Sequence, residues 1–172
     1  ETGCMLNPLV RRSLAPRGET PIIASAACRD KVSVLAALSL SPQRHLPQLY
    51  FGNYPNGNVN AERSADFLRS LLRQISGPLI IVWDNASIHR GPAVRELLAQ
   101  THRLTIAPLP PYAPELNPVE YLWSYLKTHC LVNITLDNAE QLDEVITYNL
   151  NEIAQQRPLM DSFYRTSKTR PI

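Results

Sequence analysis

The sequence predicts an α/β protein in which helices cover a mixed β-sheet. Apolar runs of strand length alternate with segments whose apolar residues recur at helical spacing. Their order is strand, strand, helix, strand, helix, strand, helix, helix, which is typical of a mixed sheet with helical cover. The length of 172 residues suits one domain, and the apolar fraction of 44% and charged fraction of 19% are those of an ordinary globular protein. We therefore expect a single domain over residues 1–172.

The first half of the chain predicts a hairpin followed by a helix. Residues 1–21 contain three prolines and two glycines, which predicts an irregular or hairpin segment. The apolar run at 31–40 predicts a buried strand, and 46–54 predicts its hairpin partner. Asn-Gly at 56–57 is a turn signal, and apolar residues at helical spacing predict a helix over 60–75.

The second half predicts two more strands and three helices. Five consecutive apolar residues at 79–83 predict a buried parallel strand. A helix that starts with proline is predicted over 92–100, and a strand over 104–109. A proline-rich loop then leads to a helix over about 118–130, and a long amphipathic helix follows over 137–156.

The composition excludes some classes of protein. A net charge of only +2 argues against a polybasic nucleic-acid binder, although basic residues outnumber acidic ones in the first 50 residues and in the tail. That excess predicts either a basic rim that faces phosphates or an ordinary solvated surface. No apolar run is long enough to cross a membrane. The three cysteines lack metal-binding spacing and predict reduced thiols in a cytosolic protein: Cys4, Cys28 and Cys130.

Two acids stand where a catalytic site is expected. Asp84 directly follows the buried strand at 79–83, at the strand end where α/β sheets bind ligands. Glu120 opens the helix at 118–130, so the two carboxylates can converge on divalent metal, which indicates phosphodiester chemistry. Each also has a structural explanation. Asp84 is a good turn former, and Glu120 follows an Asn117-Pro118 helix start as the glutamate of a capping box does.

Two motifs carry a family resemblance, WDNASIHRG at 83–91 and LPPYAPELNPVEYLWSYLK at 109–127. The segments at 10–21 and 33–42 fit the same pattern. The chain resembles the DDE transposases of the mariner-like superfamily, in their bacterial insertion-sequence branch. This resemblance implies an RNase H-like fold and a catalytic triad of two Asp and one Glu, in which Asp84 matches the second acid and Glu120 the third.

The resemblance also implies a reaction and its partners. Two Mg²⁺ or Mn²⁺ ions about 4 Å apart would assist in-line displacement at phosphorus. Water would first cut DNA at the element end, and the freed 3′-hydroxyl would then attack target DNA. The full-length protein is expected to be a homodimer that acts in the bacterial cytoplasm, in association with the nucleoid.

The first acid of the family is expected immediately before Glu1, because Glu1-Thr2-Gly3 matches the residues that follow it. Its central strand and the helix-turn-helix region of the family are expected upstream as well. We therefore expect a domain that is incomplete at its N-terminus, and a 172-residue chain with weak or no activity. The rival interpretations are a non-catalytic remnant that binds only DNA or protein, and another RNase H-like nuclease such as a resolvase.

Further residues are candidates for shaping the site. His89 would touch a scissile phosphate, orient a ligand or simply order its loop, and Asn85 would bond near the metal or form the turn. Arg11 and Arg12 are candidate phosphate contacts. Glu115 lies in the proline-rich loop, and its family counterpart is a loop residue rather than the third acid. On the helix at 118–130, Tyr121 and Trp123 are candidates for base stacking, but Trp123 falls on the apolar face and is predicted to be core.

Overall fold

A computed structural model describes residues 1–7, 9–12, 14–19, 22, 30–42 and 47–167. Cys28, Leu46 and the basic residues of the extreme tail lie outside this part of the chain. The strands are β1 (Thr2–Met5), β2 (Lys31–Leu40), β3 (Pro47–Pro55), β4 (Leu79–Trp83) and β5 (Leu104–Pro108). The helices are α1 (Ala61–Gln74), α2 (Pro92–Gln100), α3 (Pro118–Tyr125), α4 (Ala139–Gln155) and α5 (Arg157–Thr166).

Antiparallel and parallel pairings both occur, as predicted for a mixed α/β fold. Strands β1, β2 and β3 form an antiparallel sheet in that order, and β4 pairs with β5 in parallel. Within the described ranges these are two separate sheets. Strand β1 covers only residues 31–34 of β2, so among the described residues the segment 35–40 of β2 is paired on its β3 side alone.

The three-stranded sheet lies between two hydrophobic cores. Successive side chains of a strand point to opposite faces, so Val32 and Val34 pack with α3, α4 and α5, whereas Ala37 packs with the other core. That second core joins α1 and α2 to the β4–β5 sheet through buried residues such as Leu68 and Leu97. The result is a layered arrangement with helices on both sides. None of the helices in the described part of the chain is long and apolar enough to span a membrane.

Helix α3 is extended by an irregular last turn. The π-type segment Leu126–Cys130 continues it, and Leu131 N donates to the Leu126 carbonyl, five residues back. The predicted helix over 118–130 therefore exists, but its last turn is wider than an α-helix.

Strand β4 forms where it is predicted but is not buried, because Ile80 and Val82 are 67% and 54% exposed. Two other elements differ from the sequence prediction in kind. Residues Thr2–Met5 were predicted to be irregular or part of a hairpin, and this is wrong, because they form β1 against β2. No helix was predicted after residue 156, yet α5 follows α4 after a single break at Gln156 and buries Met160 and Phe163. These two side chains are four and seven residues into a helix with few other apolar residues, so the periodic signal is weak.

Candidate active site

Asp84 lies just past the C-terminal end of β4, next to the parallel strand β5. Its Oδ1 accepts a hydrogen bond of 2.9 Å from Ala86 N, which makes the side chain part of the turn that leaves the strand. Asp84 therefore forms the turn, as one of the two interpretations of this residue predicts. The side chain is nevertheless 58% exposed, and the second oxygen, Oδ2, is not used by this turn.

His89 packs directly beside Asp84. It lies in a short 3₁₀ turn (Ser87–Arg90), its ring stacks on Trp83 with centroids 4.1 Å apart, and its side chain is only 9% exposed. Its Nε2 lies 3.4 Å from Asp84 Oδ1, and its Nδ1 is buried without a hydrogen-bond partner in the described structure. Burial lowers the pKa of His89 to about 4, although the charge of Asp84 opposes this. At neutral pH the ring is therefore uncharged and does not neutralise the carboxylate.

Glu120 occupies the first turn of α3, but it does not form a capping box. The Asn117 side chain caps the helix by accepting from Val119 N at 3.2 Å. The Asn117 backbone N–H, which a capping-box glutamate would accept from, donates instead to the Pro114 carbonyl at 2.9 Å. The helix start is thus satisfied without the Glu120 side chain, whose carboxylate is left for another role.

The negative charge of Asp84 acts on Glu120, so the two carboxyl groups lie in the same part of the molecule. The pKa of the half-buried Glu120 carboxyl is raised, first by burial and then by the negative charge of Asp84. The α-amino group of Glu1 and the ammonium of Lys127 act in the opposite direction. The Glu1 amino group also lowers the pKa of His89. The start of β1 is therefore near enough to His89 and Glu120 for its charge to act on both.

An open cleft of about 390 Å³ lies between the loop after β4 and the loop after β5. Asn85 fixes these two loops to each other, because its Nδ2 donates to the Leu109 carbonyl at 3.1 Å and its own carbonyl accepts from Arg90 Nη2 at 2.8 Å. Asn85 is thus a structural link at the wall of the cleft. The cleft is lined by residues 84–86, 109–114 and 117.

The other sequence candidates lie in different places. Arg11 donates from its backbone N to Asn133 Oδ1 and from Nη1 to the Thr128 carbonyl. Thr128 is eight residues beyond Glu120, about 12 Å along a helix axis, so the structure does not bring Arg11 to the two acids. Arg12 and Glu115 are exposed, and the roles considered for Arg11 and Arg12 stay predictions. Trp123 is buried in the core, as predicted.

The carboxylates of Asp84 and Glu120 could supply some, but not all, of the protein ligands of a hard divalent cation. Two carboxylates repel each other beside a neutral histidine, and carboxylate oxygens are the ligands that Mg²⁺ and Mn²⁺ prefer. No group of three or more His, Cys, Asp or Glu side chains that could hold a metal ion occurs among the residues described by the structure. This chain therefore offers Asp84 and Glu120 as two ligands of a candidate metal site.

Sequence reasoning missed two residues at the edge of this site. One of them is Lys127, whose positive charge acts on both Glu120 and Cys4. Tyr112 sits at the mouth of the cleft with an unusual backbone conformation. The run PPYAP at 110–114, an aromatic residue among prolines in a loop, is the signal that would have drawn attention to Tyr112.

A layered α/β fold with helices on both sides, one acid after β4 and another at the start of α3 is the arrangement of an RNase H-like domain. Residues 1–143 match the family described as DDE superfamily endonuclease. The chain belongs to this family, and the predicted resemblance to the mariner-like DDE transposases is thereby confirmed. The bacterial insertion-sequence branch stays a prediction.

Solved structures of Mos1 transposase have the same fold. A paired-end complex with the left transposon end superimposes with a TM-score of 0.66 at 20% identity, over 97% of this chain and 50% of that one. A mariner paired-end complex with Mn gives 0.63 at 19% identity, over 98% and 53%. The catalytic domain with Raltegravir and Mg gives 0.52 at 19%, over 80% and 76%. The chain thus spans about half the length of the full transposase chains that it matches. No curated protein matches it in sequence.

Proposed function

We propose that this chain is the catalytic domain of a DNA transposase, in which Asp84 and Glu120 hold Mg²⁺ or Mn²⁺ for the cleavage and joining of DNA phosphodiester bonds. One observation carries the proposal. The Glu120 carboxylate is not used by its helix cap and shares its surroundings with Asp84. Membership of a DDE endonuclease family supports the same chemistry.

The residues of the site divide the work between them. The Ala86 N–H fixes Asp84 through Oδ1 and leaves Oδ2 for a cation, while the stacked ring of His89 limits the rotation of the Asp84 side chain. Glu120 projects from a helix start that Asn117 already caps. Bound divalent cations would activate the attacking oxygen and stabilise the leaving oxygen in a displacement at phosphorus.

A third carboxylate is proposed to precede Glu1. Two observations support this position. The backbone nitrogen of Glu1 lies within electrostatic range of Glu120 and His89, so a residue attached to it would lie in the same region as the two acids. The edge of β2 over residues 35–40 has no partner on its β1 side among the described residues, so an upstream continuation of β1 could pair there.

DNA is the proposed partner, both as element ends and as target. The similar Mos1 structures are described as a complex with a transposon end and as a strand transfer complex. We also propose that the full-length protein is a homodimer that works in the bacterial cytoplasm next to the nucleoid. The competing function is a non-catalytic remnant that binds only DNA or protein.

The test compares nicking of supercoiled DNA by proteins that carry an upstream strand ending in Asp. We expect nicking that requires Mg²⁺ or Mn²⁺, and a loss of at least about a hundredfold in Glu120→Gln, because one charged ligand contributes several kcal/mol to the transition state. Glu115→Gln is the matched control, since this exposed glutamate lies only five residues away and should retain activity.

A second measurement does not depend on turnover. Mn²⁺ should raise the melting temperature of the parent protein and of Glu115→Gln, but not that of Glu120→Gln, because only a protein that binds the ion is stabilised by it. Nicking by Glu120→Gln at the parent rate would falsify the ligand role. Absence of nicking in every protein, together with retained DNA binding, would favour the remnant.

A further inference from the structure

Arg90 is held beside the candidate site by the protein backbone and not by an acid. Its Nη2 donates to the Asn85 carbonyl at 2.8 Å, so the guanidinium lies next to the residue that follows Asp84. The residue is exposed, and no described acid forms an ion pair with it. A guanidinium carries five N–H donors in a fixed fork, so one bond to a carbonyl leaves the others available. Arg90 therefore presents an unneutralised positive charge at the wall of the cleft.

The charges of the site explain why a cation at this place is useful. Asp84 and Glu120 are acids in the same part of the molecule, and burial keeps His89 uncharged at neutral pH. Negative groups repel the phosphates of DNA. A metal ion between the acids would act on the phosphate that is cut, which leaves the neighbouring phosphates to protein side chains. Arg11 does not supply this contact, because its guanidinium bonds to the Thr128 carbonyl near the far end of the helix.

We propose that Arg90 binds a backbone phosphate of DNA that neighbours the phosphate facing Asp84. This inference rests on the proposed function for the substrate and adds a side chain that holds it. The guanidinium fork matches two phosphate oxygens through parallel N–H···O bonds, and such charge-assisted bonds are stronger than neutral ones. Phosphate contacts fix the register of a protein on DNA and carry no sequence information. Arg90 would therefore fix which phosphodiester bond faces Asp84, whatever the base sequence.

The place where Arg90 is anchored fits successive phosphates of one strand. The anchor is the carbonyl of Asn85, and the Cα atoms of adjacent residues such as Asp84 and Asn85 are about 3.8 Å apart. Successive phosphates of a DNA strand are separated by about 3.4 Å along the helix axis, which is a distance of the same size. Asn85 also donates to the Leu109 carbonyl across the cleft, so the anchor is fixed by the fold on both sides.

The test measures how the binding of the 172-residue chain to duplex DNA depends on salt. Fluorescence anisotropy gives Kd over a series of KCl concentrations, with EDTA present, for two duplexes of unrelated sequence. Each phosphate that a protein neutralises contributes about 0.9 to the slope of log Kd against log salt concentration. Arg90→Gln should lower this slope by about 0.9, and it should weaken binding to both duplexes by about fivefold at low salt. Arg90→Lys should keep the slope, because it keeps the charge.

Arg95→Gln is the matched control. It removes the same charge from an exposed arginine of α2, a short distance along the chain, and should leave the slope and Kd unchanged. A merely structural role of the bond between Arg90 and Asn85 would weaken binding without changing the slope. Equal slopes for the parent chain and Arg90→Gln, an equal loss in Arg95→Gln, or no measurable binding by the parent chain would overturn the proposal.

A double-mutant cycle tests whether the phosphate on Arg90 lies beside Asp84. Asp84→Asn removes a negative charge but keeps a side-chain oxygen that can accept from Ala86 N. It should tighten DNA binding, and the gain should be at least about twofold smaller when Arg90→Gln is also present. Equal gains in both backgrounds would contradict the proposal. These assays involve neither metal nor turnover, so their failure is distinct from a loss of metal-dependent nicking, which tests the proposed function.

Discussion

Gly91 joins the loop that carries Asp84 to α2, and we expect Gly91→Ala to be one of the more damaging single-methyl changes in the chain. A Cβ at this position would lie under 3.0 Å from the Ala61 Cβ at the start of α1. Carbons in ordinary contact are about 3.5–4.0 Å apart. The backbone of Gly91, with φ −66° and ψ 164°, is open to alanine, so the cost is steric and not conformational.

The size of the effect follows from the overlap. The loop or α1 must move so that the distance between the two Cβ atoms increases by at least about half an ångström. The Cβ of Ala61 cannot rotate aside, because it is attached directly to the helix backbone. Added methyl groups in well-packed places typically cost 1–3 kcal/mol. We expect about 2 kcal/mol, which corresponds to roughly 4–8 °C in Tm for a domain of this size.

The assay is a double-mutant cycle by urea denaturation with Gly91→Ala, Ala61→Gly and both changes together. If the methyl groups collide, the double variant should be at least about 1 kcal/mol more stable than the sum of the single effects predicts. Gly3→Ala is the matched control, because its new Cβ would meet no atom within 4 Å. Additive single effects, or a Gly3→Ala variant as unstable as Gly91→Ala, would refute the reasoning.

Two further outcomes are expected, one for the core of α3 and one for the thiols. Leu122→Ala should lower the free energy of unfolding by about 2–5 kcal/mol, because Leu122 is fully buried in the core. The control is Ser124→Ala, which changes an exposed residue of the same helix and should alter the free energy of unfolding by less than about 0.5 kcal/mol. Equal urea midpoints for the two variants would contradict this prediction. Burial raises the pKa of Cys4 to about 11, so its reactive thiolate is scarce below that pH. In a Cys28→Ser background, mass spectrometry should find Cys130 alkylated by iodoacetamide at pH 8 at least about ten times faster than Cys4, and similar rates would contradict the burial of Cys4.

Strong local signals made much of the fold predictable. The bounds of α2 agree with the prediction because Pro92 marks its first residue and Thr101 leaves the helical conformation directly after it. Strand β4 is a run of five apolar residues, long enough to identify and too short for a helix. Strand β1 was missed because four residues that include Gly3 carry no alternating pattern, and only their pairing with β2 makes them a strand.

The sequence could place the two candidate acids on their elements, but it could not predict the contacts that support them. The positions of Asp84 and Glu120 follow from a strand end and a helix start, which are local features. The stacking of His89 on Trp83, by contrast, depends on how the chain turns back after β4. The use of the Asn117 N–H by Pro114 depends on the preceding 3₁₀ turn, so the sequence alone could not decide against the capping box.

The two acids are attached to different hydrophobic cores. Asp84 follows β4, which packs into the core of α1 and α2, whereas Glu120 projects from α3, whose apolar face belongs to the core of α4 and α5. Local opening of either core would separate the carboxylates without any change at the acids themselves. If the two acids hold metal as proposed, partly unfolded chains would then be inert toward DNA instead of being unregulated nucleases. For an enzyme class that cuts DNA, the fold itself would act as a safeguard that permits chemistry only in the fully assembled domain.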